Sequence, residues 1–351
     1  MNMTTSKQRL QAAKQSFVTR RVAKTAMESI IEDLSYQPKA GDLILAKITL
    51  LGHHTRTERT DGRKAQLFEG DEVILAYGNR YAPDQFEAVI PSDLSPCHMV
   101  AAGGIAAHAL SWHERIEFPT EITPIGLIAD KDGRVINLAN YSVPPALSVP
   151  NVPNVTVVGT SMNAGKTTTA AHIIHGLTKA GYQVGAMKVT GTGAGGDLWL
   201  MQDAGARVAV DFTDAGFPTS FKVEEFELMG IVKKLSQTLV NQGCNAIVVE
   251  IADGVYQQET RALLQNEEYK ALFKNVVFTA RESLGATAGA EWLKSEGYHV
   301  PAISGRICCS PLAAREAADE VQLNVLDLED LANPETAKSL LATTQTFSAI
   351  A

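Results

Sequence analysis

Short apolar runs and helical stretches alternate through the second half of the chain. VTVVG (155–159), VGAMKV (184–189), RVAVDF (207–212), AIVVEI (246–251), NVVFTA (275–280) and VPAIS (300–304) are largely apolar, most of them at nearly every position. Runs of that kind predict strands buried on both faces. Between most of them lie helical patterns, notably over 167–180, 224–242 and 286–296. The alternation predicts an α/β fold: a doubly wound, mainly parallel sheet with its ligand site beyond the carboxyl ends of the strands.

The first half has shorter, less regular patterns. GDLILAKITLLG (41–52) and DEVILAYGN (71–79) predict strands bounded by turn residues. IGLIADKDGRVINL (125–138) predicts a hairpin about Asp-Lys-Asp-Gly. One helix is expected over 99–112 and an amphipathic one over about 6–31, while YGNRYAPDQFE (77–87) suits a loop. The sum is a smaller β-rich domain, an antiparallel sheet or barrel, with an N-terminal helix. At 142–154, SVPPALSVPNVPN holds four of the fourteen prolines and should be extended and helix-free. The expected organisation is therefore 1–142 as the β-rich domain, 143–154 as a Pro-rich linker and 155–351 as the α/β domain, the two halves folding separately.

Composition narrows the function classes. The 351 residues are 45% hydrophobic, enough for a core, and no stretch approaches the roughly 20 apolar residues of a membrane helix. Net charge is −8, although residues 1–24 hold six cations and no acid. The remaining chain is more acidic still, which argues against a nucleic-acid-coating surface. The basic start lacks the apolar core of a secretory signal, and a packed helix is preferred to a targeting segment. Cys97, Cys244, Cys308 and Cys309 include no CxxC pair and are expected as thiols in a reducing cytoplasm. Histidines 53, 54, 98, 108 and 113 show no recognised metal-ligand spacing.

The chemistry concentrates after the first strand of the α/β half, in Gly159-Thr160-Ser161-Met162-Asn163-Ala164-Gly165-Lys166-Thr167-Thr168. A glycine-bearing turn exposes backbone N–H groups, and the following helix adds its dipole; both favour a polyphosphate. Gly159, Asn163, Ala164, Gly165, Lys166, Thr167 and Thr168 are the expected nucleotide-binding residues, with Lys166 on the β/γ-phosphates and Thr167 on Mg²⁺. The strict pattern GxxxxGK[ST] is not met, since Thr160 stands five before Gly165 and the glycine six before. Asp197 and Glu250, near strand ends, can join Thr167 in binding hydrated Mg²⁺. Lys188 could neutralise charge on a transferring phosphoryl group.

GTSMNAGKT resembles the GTDTxVGKT loop of dethiobiotin synthetase, a P-loop NTPase branch related to the molybdopterin-guanine dinucleotide accessory protein and to domain of unknown function 1611. GYQVGAMKVTGTG (181–193) looks like that branch's KPVxSG motif, which puts Lys188 and Thr192 on its lysine and hydroxyl positions. DLWLMQ (197–202) is similar to its DALALQ-like helix start and VVEIADG (248–254) to its VEGAGG, which puts Asp197 and Glu250 on its magnesium-binding carboxylates. SLGATAGAEWLKSEGYHVPAISG (283–305) follows the pattern preceding the base contact, whose asparagine falls near Ser304. The resemblance covers roughly 155–305. Ser161 and Met162 replace the loop's aspartate and threonine, and Ile251-Ala-Asp-Gly254 with the polar run 256–261 replaces the substrate loop. Dethiobiotin synthesis itself is therefore not expected.

What the resemblance implies is an ATP- and Mg²⁺-dependent phosphoryl-transfer enzyme, a kinase or ligase activating a carboxylate or carbamate, with Lys166, Lys188 and Thr192 catalytic. Its partner would be a small-molecule substrate, with no nucleic acid and no membrane; a homodimer stays open. The alternative is a nucleotide-driven switch, a metallochaperone or a non-catalytic nucleotide-binding accessory protein. No NKxD guanine motif and no CxH or His-rich metal motif occurs to favour it.

Overall fold

Leu43 and Leu45 belong to one apolar cluster while Ile44, Ala46 and Ile48 belong to another, so the first strand of the β-rich unit buries both faces. The same division by parity runs through its neighbours, with Ile74 and Ala76 opposite Val73, Leu75 and Tyr77. In this computed structural model, which describes residues 5–341, five main strands make up the unit: β1 (Leu43–Leu50), β2 (Glu72–Tyr77), β3 (Cys97–Ala101), β4 (Ile105–Trp112) and β5 (Thr120–Ala129). They pair in the order β2-β1-β5-β3-β4, all antiparallel, and β4 returns to pair with β2 in parallel. The sheet therefore closes into a small barrel, with the short strands Lys14–Gln15, Ser29–Ile31, Arg80–Tyr81 and Phe86–Val89 added to it.

Two expected helices are corrected here. The helix over 6–31 ends at Ala12 (α1, Ser6–Ala12), because Lys14–Gln15 pairs with β2 and the Ser16 N–H donates to the Ile74 carbonyl. The helix over 99–112 is a hairpin of β3 and β4. Gly104 turns it at φ 107, and the alanines that favour a helix pack instead between strands. The segment 77–87 is not a free loop: Arg80 and Tyr81 pair with Ala88 and Glu87. The hairpin at 125–138 has its turn, with Asp130 accepting from Asp132 and Arg134 N–H, but its return arm makes only isolated bridges, Val135 to Ala129 and Asn137 to Asp42.

In the second unit every apolar run of the α/β half becomes a strand: β6 (Asn154–Gly159), β7 (Val184–Lys188), β8 (Val208–Asp211), β9 (Ala246–Glu250), β10 (Asn275–Thr279) and β11 (His299–Ser304), joined by β12 (Asn324–Val325). The order β8-β7-β9-β6-β10-β11-β12 is parallel throughout. On one face, Ile173, Ile174 and Leu177 of α2 (Lys166–Lys179) pack on Val155, Val157, Val184 and Val248. Met201 of α3 (Gly196–Asp203) joins that cluster, while on the other face α4 (Glu225–Asn241) sets Leu239 3.0 Å from where a Cβ of Gly185 would stand. Gly289 of α5 (Ser283–Ser295) leaves room for the Phe278 ring on that same face.

Chain order and compact units do not coincide at the proline-rich stretch. The β-rich unit reaches Val143 but also takes in Gly191–Gly196 and Phe212–Lys222. Gly193 N–H donates to the Pro218 carbonyl, and Val143 N–H to the Asp214 carbonyl, at 3.0 and 2.8 Å. A boundary at 143–154 does not account for these two segments. Among the described residues all four cysteines are free and no helix is long and apolar enough to cross a membrane.

Candidate functional site: the carboxyl end of the parallel sheet

Strand β6 lies between β9 and β10, where the strand order reverses, so the loop leaving it opens at the crevice that such sheets offer to ligands. Backbone demands fix the loop's residues. Asn163 and Gly165 both have left-handed backbone, at φ 61 and 103. A Cβ on Gly159 would fall 2.3 Å from the Thr279 hydroxyl, so nothing larger fits there. Gly165 then begins α2, placing the helix N-terminus and its unpaired N–H groups at the loop. Ala164 is buried, its carbonyl taking the Arg306 N–H at 3.0 Å, while Asn163 and Thr168 are exposed. Strand, left-handed loop, Gly-Lys-Thr and helix on an all-parallel sheet together define a P-loop NTPase domain.

Lys166 is 6% exposed, and its ammonium donates to the Ser161 carbonyl at 2.7 Å, across the loop. Burial lowers its pKa, a pull that the nearby carboxylates, Glu250 first, only partly oppose. Lys188 and Glu250 are side-by-side partners at the ends of β7 and β9. The Lys188 ammonium bonds to Asp197 Oδ2 and lies 3.9 Å from Glu250 Oε1. Burial works against its charge, but Asp197 and Glu250 outweigh it and hold the pKa above the ordinary lysine range. Asp197, in the first turn of α3, is shifted the other way: burial would raise it, yet Lys188 keeps it below the usual carboxylate range.

The Thr167 hydroxyl sits 3.2 Å from Asp197 Oδ1 and 3.1 Å from Glu250 Oε1. A hydroxyl has one proton, so it serves one carboxylate at a time. Glu250 is 1% exposed, and its Oε2 is buried without a hydrogen-bond partner; burial chiefly pushes its pKa up. Ligand oxygens around Mg²⁺, bonded at about 2.0–2.1 Å in an octahedron, stand about 2.9 Å apart. Thr167, Asp197 and Glu250 are spaced and charged to suit that ion. Lys166, Lys188, Thr167, Asp197 and Glu250 thus gather at one end of the sheet.

Thr192 does not join them. It lies in the Gly191–Gly196 segment of the β-rich unit, bridged through its backbone to Thr219. Ser304 is fully buried, its hydroxyl donating to the Leu326 carbonyl at 2.8 Å, so it offers nothing to a base. The five histidines form no metal cluster among the described residues. Two residues escaped the sequence reasoning. Thr190 is a buried hydroxyl that receives the Ala252 N–H at 2.9 Å, and Asp253 bears on both lysines. The only signal of Asp253 was the aspartate in IADG where the resembled loop has none.

No protein-family model matches the chain, and no curated protein does. Among solved structures it is similar to the signal recognition particle 54 kDa protein from Aeropyrum pernix K1 in complex with GDP, at 20% identity and a TM-score of 0.37 over 56% of this chain and 45% of that one. It is also similar to the signal recognition particle receptor FtsY from Elizabethkingia anophelis in complex with GDP, at 13% identity and a TM-score of 0.34, covering 54% of each chain. A nucleotide-binding protein from Archaeoglobus fulgidus in complex with ADP is a third, at 11% identity and 0.38 over 56% of this chain and 91% of that one. The chain spans about half the length of the first two.

Proposed function

We propose that the protein is an ATP- and Mg²⁺-dependent phosphoryl-transfer enzyme acting on a small molecule, a kinase or a ligase that activates a carboxylate or carbamate. The observation that carries this is the convergence of Lys188, Asp197 and Glu250 on Thr167, beside the Lys166 loop. Thr167, Asp197 and Glu250 would hold Mg²⁺, which when bound supplies charge neutralisation to the phosphate oxygens. Lys166 would release Ser161 and turn to the β/γ-phosphates, while loop N–H groups and the α2 N-terminus bind the same anion. Lys188, kept charged by its two carboxylates, faces the place where negative charge builds as the phosphoryl group leaves ADP. The likeness of the 155–305 motifs to the dethiobiotin synthetase branch points the same way, toward a mixed phosphoric anhydride.

Steady-state MgATP turnover separates an enzyme from a switch. For an enzyme, Lys188→Met lowers kcat on the order of 100-fold while ATP affinity changes little, because its charge acts on the transferring group. A switch or accessory protein shows the opposite balance, with nucleotide affinity altered and no chemistry to lose. Equal kcat in Lys188→Met and the parent sinks the proposed role.

A further inference from the structure

Two carboxylates and one hydroxyl are a sparse ligand set for a divalent cation, and one of the carboxylates is already occupied. Asp197 divides its oxygens between two partners: Oδ1 lies 3.2 Å from the Thr167 hydroxyl, and Oδ2 accepts from the Lys188 ammonium. The same ammonium stands 3.9 Å from Glu250 Oε1, the oxygen that the Thr167 hydroxyl approaches at 3.1 Å. Lys188 thus lies against both acids assigned to Mg²⁺. Among the described residues no group of three or more His, Cys, Asp or Glu side chains is placed to hold a metal ion, so no third acid takes over from Asp197.

Three rigid elements hold the ammonium there. Lys188 and Glu250 end adjacent strands as register partners, and Asp197 lies in the first turn of α3. The Lys188 and Glu250 side chains are 13% and 2% exposed, so water cannot replace either partner without a desolvation cost. A divalent cation arriving alone meets a buried positive charge, and Mg²⁺ sheds its own waters reluctantly. A nucleotide alters that balance, because its terminal phosphate offers the ammonium a second anion.

We propose that Lys188 is the resident counter-ion of this site: in the nucleotide-free protein it keeps divalent cations off Asp197 and Glu250, and it passes to the terminal phosphate when nucleotide binds. Metal and nucleotide therefore enter together. The exclusion is a property of the empty site, whereas the handover rests on the phosphoryl-transfer reading above. No covalent bond forms or breaks in the exchange; one ammonium–carboxylate contact gives way to an ammonium–phosphate contact.

The test titrates Mn²⁺, a paramagnetic substitute for Mg²⁺, into the full chain and reads the free ion by electron paramagnetic resonance. Without nucleotide, Lys188→Met should bind Mn²⁺ about tenfold or more tighter than the parent, because one charge-assisted contact no longer competes. Lys188→Arg, which keeps the charge, should behave as the parent, and adding Asp197→Asn to Lys188→Met should abolish the gain. Equal Mn²⁺ affinity in the parent and Lys188→Met overturns the counter-ion role, as does a gain that survives Asp197→Asn. Lys188→Met leaves Asp197 and Glu250 without that cation and should melt lower; Mg²⁺ alone should raise its melting temperature and leave the parent's unmoved. If the variant does not fold, the parent decides by itself: Mn²⁺ held as tightly without nucleotide as with non-hydrolysable β,γ-imido ATP overturns the exclusion. With that analogue bound, the affinities of the parent and Lys188→Met should converge, and a gap that persists overturns the handover. A parent that binds MgATP without turning it over sinks the phosphoryl-transfer reading alone, since the exclusion is measured without nucleotide.

Discussion

Asp214 in the β-rich unit and Glu250 in the P-loop unit are both buried carboxylates beside cations, yet their surroundings differ in completeness. Asp214 receives Arg20 at 2.6 Å and Arg21 at 3.5 Å, and the Arg20 guanidinium also stacks 4.1 Å over the Phe17 ring. Glu250 has one oxygen shared with Thr167 and 3.9 Å from Lys188, and the other has no partner. A satisfied buried ion pair holds a fold in one arrangement, whereas an undersupplied buried carboxylate carries a desolvation cost that its neighbours do not offset. The uncharged strays of the barrel teach the same lesson from the other side. His54 Nε2 and Tyr77 OH are also without partners, but both side chains are held neutral, where isolation costs far less.

The contrast can be broken first at Asp214. Asp214→Ala should cost about 3–5 kcal/mol, since it strands the mostly buried Arg20 charge. Denaturant midpoints give the number, and a loss below about 1 kcal/mol would class the pair with exposed surface bridges. His54 comes next. Burial, then Arg80 and His53, depress its pKa to about 3, so the folded barrel disfavours the charged ring. Its contribution to stability is complete above the ordinary value of about 6.5 and is lost as pH falls towards 3, at up to roughly 1.4 kcal/mol per unit. Between pH 6.5 and 5 that is roughly 2 kcal/mol, and His54→Gln should flatten the decline; an unchanged slope would acquit His54. The smallest effect is expected at Glu250. Glu250→Gln should cost under about 1 kcal/mol of stability, because Lys188 keeps Asp197 and a poorly partnered buried charge is removed. The Mg²⁺ concentration for half-maximal turnover should nonetheless rise about tenfold. A destabilisation matching that of Asp214→Ala would make the two carboxylates alike and end the comparison.

The same contrast governs how much was legible in the sequence. In the parallel unit each strand is a local apolar run and each helix a local period, so strand assignments and the loop Gly159–Thr168 could be read without knowing the fold. In the barrel, pairing decides. Ala106, Ala107 and Ala109 suit a helix by propensity, and only the Gly103-Gly104 turn with cross-strand partners makes them strand. Residues 14–31 likewise look helical until Lys14, Gln15 and Ser16 meet β2. The position of Lys188, Asp197 and Glu250 at the carboxyl end of the sheet was readable because they end strands or begin a helix. Thr192 was set beside them by motif likeness alone, and its segment belongs to the β-rich unit, where it bridges to Thr219; the left-handed backbone of Asp253 leaves no mark in composition.

The two late segments that complete the β-rich unit have a consequence for synthesis. When Val143 leaves the ribosome all five barrel strands exist, but Gly193, Pro218 and Thr219 do not. Pro218 and Thr219 are the residues that later stand against Gly78, and Phe221 is the ring that meets Tyr81 at 5.5 Å. The nascent barrel must therefore wait, partly uncovered, until much of the parallel unit has been made, and its last closures join residues far apart in the chain. For the same reason a gene fragment ending at the proline-rich stretch carries the strands but not the whole unit, and recombination cannot move the barrel as one uninterrupted piece.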